Sequence, residues 1–253
     1  MSRVASVRRP SPPWRRRREM PEYGWLRLPE GRSSDISVKP AAYLPVYEEL
    51  LGPLRRDSFT LLELGVWKGD SLAMWRNAFP LAAIVGIDLN PPELDLGRRV
   101  HVVAGDQSDT ELFGRVRAEH APDGFDVIID DASHIGTLSA RSLKTLYPQH
   151  LKPGGIYIIE DWGTGYLPDW PDGTAPSATV GAELLDLSPE HSEQVHLPSH
   201  DAGMVGLIKR LVDHTAAGTL TVHQPDRVDR PLPIEWMRIQ DGLAILKKPA
   251  AAG

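Results

Sequence analysis

The sequence predicts an α/β fold in which a seven-stranded, mostly parallel sheet carries helices on both faces and ends in an antiparallel hairpin. The first observation is that short apolar segments alternate with helix-like segments, which is typical of parallel strands joined by helical crossovers. The second is the pair Asp241-Gly242, which separates the last two apolar segments and is a strong hairpin signal. Because a hairpin is antiparallel, this arrangement differs from the all-parallel dinucleotide-binding fold.

The individual elements follow from the spacing of apolar residues. Strands are predicted at residues 60–64, 83–88, 100–104, 125–129, 155–160, 234–239 and 243–247. Helices are predicted at 40–51, 70–79, 108–116, 137–147 and around 204–212, where apolar residues recur every three or four positions. Asp70 is expected to cap the second helix, and a capping box at 108–111 the third. Pro148 is expected to lie beyond the fourth helix.

Composition fixes the broad class of protein. The chain has 253 residues, of which 41% are hydrophobic and 25% are charged, enough for one sizeable soluble domain. The absence of cysteine excludes a disulfide framework, a thiolate zinc site and a cysteine nucleophile. No apolar run approaches the roughly 20 residues that span a bilayer, so we expect a cytoplasmic protein with no membrane partner.

The charge is divided unevenly along the chain. Seven of the 28 basic residues and none of the 34 acidic ones lie within residues 1–18, so the rest carries a net charge of −13. Residues 1–19 are predicted to be a disordered basic tail, and 20–253 to be a single domain. Because so acidic a body is a poor binder of phosphate backbones, we expect no nucleic-acid partner.

Polar residues follow the first three strands in an order that suits an adenosine-bearing cofactor without phosphate. Gly65 allows a sharp turn and close approach of a ligand, and Glu63 before it would repel a phosphate but suits an ammonium group. Asp88 ends the second strand, where a carboxylate can accept hydrogen bonds from ribose hydroxyls. Asp106 and Gln107 offer an acceptor and an amide to an adenine edge. The G-x-G-x-x-G loop of nicotinamide enzymes is missing, which makes an oxidoreductase the weakest alternative.

A second group of polar residues follows the fourth and fifth strands. Asp131 and His134 come after the fourth strand, and Glu160 and Asp161 after the fifth. Neither motif contains a basic residue, so we expect a hard divalent cation, Mg²⁺ above all, to balance the acids. Asp131, Glu160 and Asp161 are the predicted ligands. Spacing alone leaves open a solvated loop, a helix cap, or a zinc or manganese site.

The long connection at 162–200 is predicted to be a loop or lid on the acceptor side. Trp162 and Tyr166, with Trp170 farther along, could form a wall for a sugar ring or an aglycone. The alternative is that these rings only pack the loop onto the domain.

Five segments together resemble the metal-dependent sugar O-methyltransferases of macrolide and related natural-product pathways, of the mycinamicin and calicheamicin types. They are LLELGVWKGDSLAMW at 61–75, IVGIDLN at 84–90, VVAGDQSD at 102–109, FDVIIDDASH at 125–134 and LKPGGIYIIEDW at 151–162. The cephalosporin hydroxylase-like group is a more distant resemblance. The similarity covers roughly residues 40–165. An upstream Thr-Asp-Lys-type segment of the relatives is poorly matched by Ser34-Asp35 and Lys39, so no role is predicted there.

The resemblance implies a Rossmann-like class I methyltransferase fold and two cofactors, S-adenosylmethionine and Mg²⁺. It implies that S-adenosylmethionine is held by Glu63, Gly65, Asp88, Asp106 and Gln107, with Asp130 nearby. It also makes His134 the general base for the hydroxyl of a deoxysugar, either attached to a natural product or nucleotide-activated. A homo-oligomer is compatible with the resemblance.

Two other functions remain open from the sequence. One is methylation of a catechol or another phenol, which needs a base less because phenols are more acidic than sugar hydroxyls. The other is a non-catalytic cofactor-binding partner protein. The set of Asp131, His134, Glu160 and Asp161 argues against the second.

Overall fold

The computed structural model describes residue 26 and the ranges 39–173, 200–223 and 232–251. Its sheet consists of β1 (Thr60–Leu64), β2 (Ala83–Asp88), β3 (Val100–Ala104), β4 (Phe125–Asp130), β5 (Leu151–Ile159), β6 (Trp236–Gln240) and β7 (Leu243–Lys247). The strand order is β3-β2-β1-β4-β5-β7-β6. β1 to β5 are parallel, and β7 runs antiparallel to both of its neighbours, β5 and β6. The predicted fold class is therefore confirmed, with the hairpin extending the sheet beyond β5.

Helices cover both faces of the sheet. They are α1 (Leu44–Leu51), α2 (Asp70–Ala78), α3 (Thr110–His120), α4 (Gly136–Gln149) and α5 (Gly203–His223). Buried residues of α1 and α2 pack on one face, and those of α3, α4 and α5 pack on the other. Successive strand residues point to opposite faces, so Leu61 joins the first layer and Leu62 the second. This alternation explains why the strands are apolar at nearly every position.

Several local predictions differ from the structure. β5 begins at Leu151 rather than at 155, and α5 extends to His223 rather than to about 212. Three further differences concern helix caps and ends. Gly69, with φ of +80°, precedes α2, and no side chain caps that helix. Asp70 therefore lies in the first turn, where its charge suits the helix dipole. Asp109 caps α3 by accepting hydrogen bonds from the backbone N–H groups of Glu111 and Leu112, one residue later than predicted. Pro148 lies inside the last turn of α4 rather than beyond it.

The strand register brings the functional segments together at one edge of the sheet. Leu64 of β1 pairs with Asp130 of β4, which pairs with Ile159 of β5. Backbone bonds continue one residue further, because the Asp131 N–H donates to the Leu64 carbonyl and the Glu160 N–H to the Asp130 carbonyl. Loops after β1, β4 and β5 thus start side by side.

The predicted basic tail at 1–19 and the 174–199 part of the predicted lid lie outside the described residues. Within the part of the chain that the structure describes, no helix combines the length and the apolar character needed to cross a bilayer.

Candidate active site

A cavity of about 820 Å³ opens at the carboxyl edge of the parallel strands. This is the edge where open α/β sheets bind their ligands, and the size is typical of small-molecule sites. Four predicted cofactor-binding residues line one part of it: Gly65, Asp88, Asp106 and Gln107. Four predicted catalytic or metal-binding residues line another part: Asp131, His134, Glu160 and Asp161.

Gly65 is required by the close approach of two loops. Its φ is +90°, and a Cβ at this position would lie 2.0 Å from the carbonyl oxygen of Asp131. Only glycine combines this backbone conformation with the missing side chain. The turn after β1 therefore lies directly against the turn after β4.

Asp88 organises the turn after β1. Its Oδ2 accepts hydrogen bonds from the N–H groups of Val66 and Trp67 at 2.8 and 3.0 Å, and its Oδ1 accepts one from Asn90 at 2.8 Å. Burial alone would raise the pKa of Asp88, but these three N–H groups hold the pKa below its ordinary value. Since each carboxylate oxygen has two lone pairs, Oδ1 of Asp88 can still accept one hydrogen bond from a ligand in the cavity.

Asp106 and Gln107, the predicted site residues after β3, make different side-chain contacts. Asp106 is part of an exposed turn in which its Oδ1 accepts the Ser108 N–H at 2.7 Å. Gln107 accepts the Ser133 N–H at 3.0 Å and donates to Asp130 Oδ1 at 3.3 Å. Its amide therefore ties the loop after β3 to the loop after β4. Asp130 is buried behind the cavity wall, and burial raises its pKa to about 6.

Glu63 lies outside the cavity wall, completely buried in the layer formed by α1 and α2. Its Oε2 accepts from Ser71 Oγ at 2.7 Å, and its Oε1 lies 3.3 Å from Trp75 Nε1 and 2.9 Å from Lys39 Nζ. The ammonium group beside Glu63 is that of Lys39, whereas the sequence predicted the ammonium group of a ligand there. Glu63 does not line the cavity, so its contact with a cofactor stays a prediction.

Lys39 places a protein ammonium group among the acids that the sequence analysis expected a divalent cation alone to balance. Its Nζ lies 2.6 Å from Asp131 Oδ2 and 2.7 Å from Glu160 Oε1, and the residue is only 3% exposed. Burial alone would lower the pKa of Lys39, but the carboxylates of Asp131, Glu160 and Glu63 hold it well above its ordinary value. Lys39 precedes α1, far from both acidic motifs in sequence, so spacing gave no signal for this contact.

Two tyrosines, Tyr43 just before α1 and Tyr47 within it, donate hydrogen bonds to the acids that follow β5. Tyr47 donates its hydroxyl to Glu160 Oε1, and Tyr43 donates to Asp161 Oδ1, both at 2.5 Å. Burial and the nearby Asp131 raise the pKa of Glu160 to about 8, although Lys39 and Tyr47 oppose the shift. Tyr43 and Tyr47 lie four residues apart on the apolar face of the predicted first helix. This spacing predicted that both pack in the core and gave no indication of their hydroxyl contacts.

His134 stands at the outer side of the cluster. It has a left-handed backbone with φ of +53°, and its Nε2 lies 3.9 Å from Asp131 Oδ1. Ligand atoms of Asp131, His134 and Asp161 lie within 4.8 Å of one another, a spacing that one cation can bridge. Glu63, Asp131 and Glu160 meet the same spacing, but Lys39 stands among them.

Of the three aromatic residues predicted for an acceptor wall, Trp170 lines the cavity, and Trp162 and Tyr166 pack elsewhere. Trp162 and Tyr166 belong to a 3₁₀ turn that packs against α5, and Tyr166 contacts the ring of His200 at 5.0 Å. Neither lines the cavity. Trp170 does line it, with its ring edge-on to that of His134 at 5.4 Å between centroids.

No family model matches the chain. It is 33% identical over 175 residues to mycinamicin VI 2''-O-methyltransferase of Micromonospora griseorubida, covering 64% of this chain and 43% of that protein. It is 30% identical over 223 residues to 8-demethyl-8-alpha-L-rhamnosyl tetracenomycin-C 2'-O-methyltransferase of Streptomyces olivaceus, covering 83% of this chain and 51% of the relative.

The chain is also similar to solved structures of a methyltransferase. The MycE methyltransferase of the mycinamycin pathway in complex with Mg and SAH has a TM-score of 0.63 and 28% identity, over 82% of this chain and 48% of that one. A second MycE structure, with Mg, SAH and mycinamycin VI, has a TM-score of 0.59 and 27% identity, over 83% and 50% of the two chains. The chain thus spans about half the length of the relatives it matches. It has the class I methyltransferase fold and is a relative of the sugar O-methyltransferases of macrolide and polyketide glycosides.

Proposed function

We propose that the protein is an S-adenosylmethionine- and Mg²⁺-dependent O-methyltransferase that methylates a sugar hydroxyl. The acceptor is a deoxysugar, either within a natural-product glycoside or activated by a nucleotide. The observation that carries this proposal is one cavity whose wall joins Gly65 and Asp88 to Asp131, His134 and Asp161. The names of the relatives, which specify 2''- and 2'-O-methylation of glycosides, support the acceptor class.

The cavity fits an adenosine-bearing cofactor with a cationic sulfur. Asp88 offers carboxylate oxygens at the end of β2, and Gly65 leaves the backbone open to a ligand. Asp106 adds an exposed acceptor after β3, whereas the Gln107 amide is engaged in the wall. S-adenosylmethionine would supply a methyl group on a positively charged sulfur, which the acidic wall favours electrostatically.

The outer acids fit a hard divalent cation. Asp131 and Asp161 have carboxylate oxygens close enough to share one ion, and such ligands select Mg²⁺ over softer metals. Glu160, the third predicted ligand, also lines the cavity, with Oε1 in contact with Lys39 and Tyr47. Bound Mg²⁺ would supply Lewis acidity that lowers the pKa of an alcohol.

His134 is the proposed general base. Its ring lines the cavity beside Asp131, and an imidazole can accept a proton near neutral pH. The proton of the acceptor hydroxyl would pass to His134 Nε2 as the oxygen forms its bond to the methyl carbon, while the bond from that carbon to sulfur would break and S-adenosylhomocysteine would leave. Trp170, packed edge-on against the imidazole, limits the positions that the ring can take.

Incubation of the purified full chain with S-adenosylmethionine, Mg²⁺ and separate acceptors tests the proposal. The acceptors are a deoxysugar glycoside, a nucleotide-activated deoxysugar and a catechol, and mass spectrometry detects the methylated product. We expect a sugar product that disappears with a chelator and returns with added Mg²⁺. A methylated catechol alone would favour the phenol-type enzyme. Cofactor binding without any product would favour a non-catalytic partner.

The same assay tests the base. His134→Gln should lower kcat by about 100-fold or more, since general bases contribute roughly that much. Binding of S-adenosylhomocysteine and of Mn²⁺ should stay within about threefold of wild type, because the variant alters neither proposed carboxylate ligand. His120→Gln in α3 is the matched control and should keep full activity. Loss of Mn²⁺ binding in His134→Gln would instead make His134 a metal ligand.

A further inference from the structure

The acidic cluster is divided into two halves by Lys39. The inner half consists of Glu63, Glu160 and Oδ2 of Asp131, which lie 2.9, 2.7 and 2.6 Å from the Lys39 Nζ. The outer half consists of Asp161, His134 and Oδ1 of Asp131, whose Oδ1 lies 3.9 Å from His134 Nε2. Asp131 therefore belongs to both halves, with one oxygen on each side.

The inner half already contains its cation. The side chains of Lys39, Glu63 and Glu160 are each no more than 1% exposed, so water does little to screen their charges. Mg²⁺ lies about 2.1 Å from its oxygen ligands. An ion bound by the oxygens that contact Lys39 would crowd the ammonium group, and the two positive charges would repel strongly at that distance.

Glu160 is held by protein donors on the side of the inner half. Its Oε1 accepts from Tyr47 at 2.5 Å and lies 2.7 Å from Lys39 Nζ. The backbone turns at the next residue, Asp161, which is left-handed with φ of +53°. Its Oδ1 accepts from Tyr43, and its carboxylate lies with Asp131 and His134.

We propose that Lys39 is a resident cation of the inner half and a positioning residue for Asp131, so that the divalent ion is held in the outer half by the carboxylates of Asp131 and Asp161, without Glu160. This inference rests on the proposed Mg²⁺ requirement. It changes the ligand set predicted from the sequence, because Glu160 becomes a partner of Lys39. One carboxylate, Asp131, then links a fixed ammonium group to an exchangeable metal ion.

Calorimetric titration of Mn²⁺ into the full chain tests the assignment, with Glu160→Gln and Asp161→Asn as a matched pair. Both changes replace a carboxyl group with an amide and keep the shape of the side chain. Glu160→Gln should bind Mn²⁺ within about threefold of wild type, whereas Asp161→Asn should bind about tenfold more weakly or worse. Equal loss in the two variants would overturn the inference and leave the proposed function intact. A wild-type chain that binds no Mn²⁺ would overturn both.

Thermal unfolding without metal provides the second readout. Lys39→Met should lower the unfolding midpoint, because it leaves several buried carboxylates without their ammonium group. The double variant Lys39→Met/Glu160→Gln should recover part of the lost unfolding midpoint, since the Lys39 ammonium and the Glu160 carboxylate are in contact. Strictly additive effects would contradict the pairing. Should Lys39→Met fail to fold, the Mn²⁺ comparison still decides the ligand set.

Discussion

Asp88 shows how one side chain can serve the fold and a ligand together. Its carboxylate accepts N–H groups from Val66, Trp67 and Asn90, and it also lines the cavity. Those bonds fix the turn that follows β1, which includes Trp67 with φ of +45°. The residue proposed to bind the ribose therefore also shapes the turn beside it.

Asp88→Asn tests this double role. The three N–H donors lower the pKa of Asp88 in the folded chain, so its ionised form stabilises the fold above the ordinary carboxyl pKa of about 4. That contribution is lost as the pH falls below this value. At pH 7 the variant should lose roughly 1 kcal/mol of unfolding free energy, because Asp88 is only partly buried and water screens its charge.

Urea unfolding of both proteins at several pH values measures the difference. The gap between wild type and Asp88→Asn should shrink as the pH falls from 7 to 3. Asp123→Asn, in an exposed turn, is the control and should show little effect at any pH. A gap that is independent of pH would contradict the assigned role of the carboxylate.

At the same scale, the sequence predicted the site residues that directly follow strands. It missed the site contacts of Lys39, Tyr43 and Tyr47, which lie just before α1 or within it. Gly65, Asp88, Asp131 and His134 line the cavity because parallel strands end at one edge. Lys39 was assigned no role, since its contact depends on how the segment before α1 crosses that edge. Such a crossing depends on tertiary packing, which local spacing does not encode.

At the scale of elements, a single acid ties the segment after β5 to two helices. Asp172 Oδ2 accepts the backbone N–H of Gly136 at 2.8 Å and that of Met204 at 2.5 Å. These groups belong to the first turns of α4 and α5, where unpaired N–H groups and the helix dipole favour an anion. This contact holds the turn that carries Trp170 close to His134.

Asp172→Ala should therefore destabilise the first turns of α4 and α5 and loosen the contact of Trp170 with His134. We expect a loss of about 2 kcal/mol of unfolding free energy, since two buried N–H groups lose their acceptor. Asp169→Ala in the same turn is the control, because Asp169 is exposed and should matter little. Denaturant unfolding monitored by circular dichroism measures both. Equal stability of the two variants would show that Asp172 does not anchor the turn.

The fold of the segment after β5 decides which of the three predicted aromatic residues lines the cavity. Trp162 and Tyr166 lie in a 3₁₀ turn that faces α5, whereas Trp170 lies beyond it at the cavity. The position of α5 decides which ring faces inward, and α5 is more than 30 residues away in sequence. Regular strands and the Asp241-Gly242 hairpin were predictable because short-range patterns determine them.

At the scale of the whole molecule, the fold brings together chemistry from segments far apart in the chain. The sheet separates one apolar layer with α1 and α2 from another with α3, α4 and α5. The cavity opens where both layers end, so that segments from Lys39 to Trp170 contribute to one wall. The chain matches these relatives over about half of their own length.

The central claim is that one cavity holds an adenosyl cofactor beside a divalent ion at the tips of neighbouring strands. A crystal structure of the full chain grown with S-adenosylhomocysteine and Mn²⁺, with anomalous data collected at the manganese edge, tests it most directly. We predict an anomalous peak in contact with the carboxylates of Asp131 and Asp161, and cofactor density that reaches Asp88. An anomalous peak remote from these acids, or cofactor bound outside the cavity, would contradict the account.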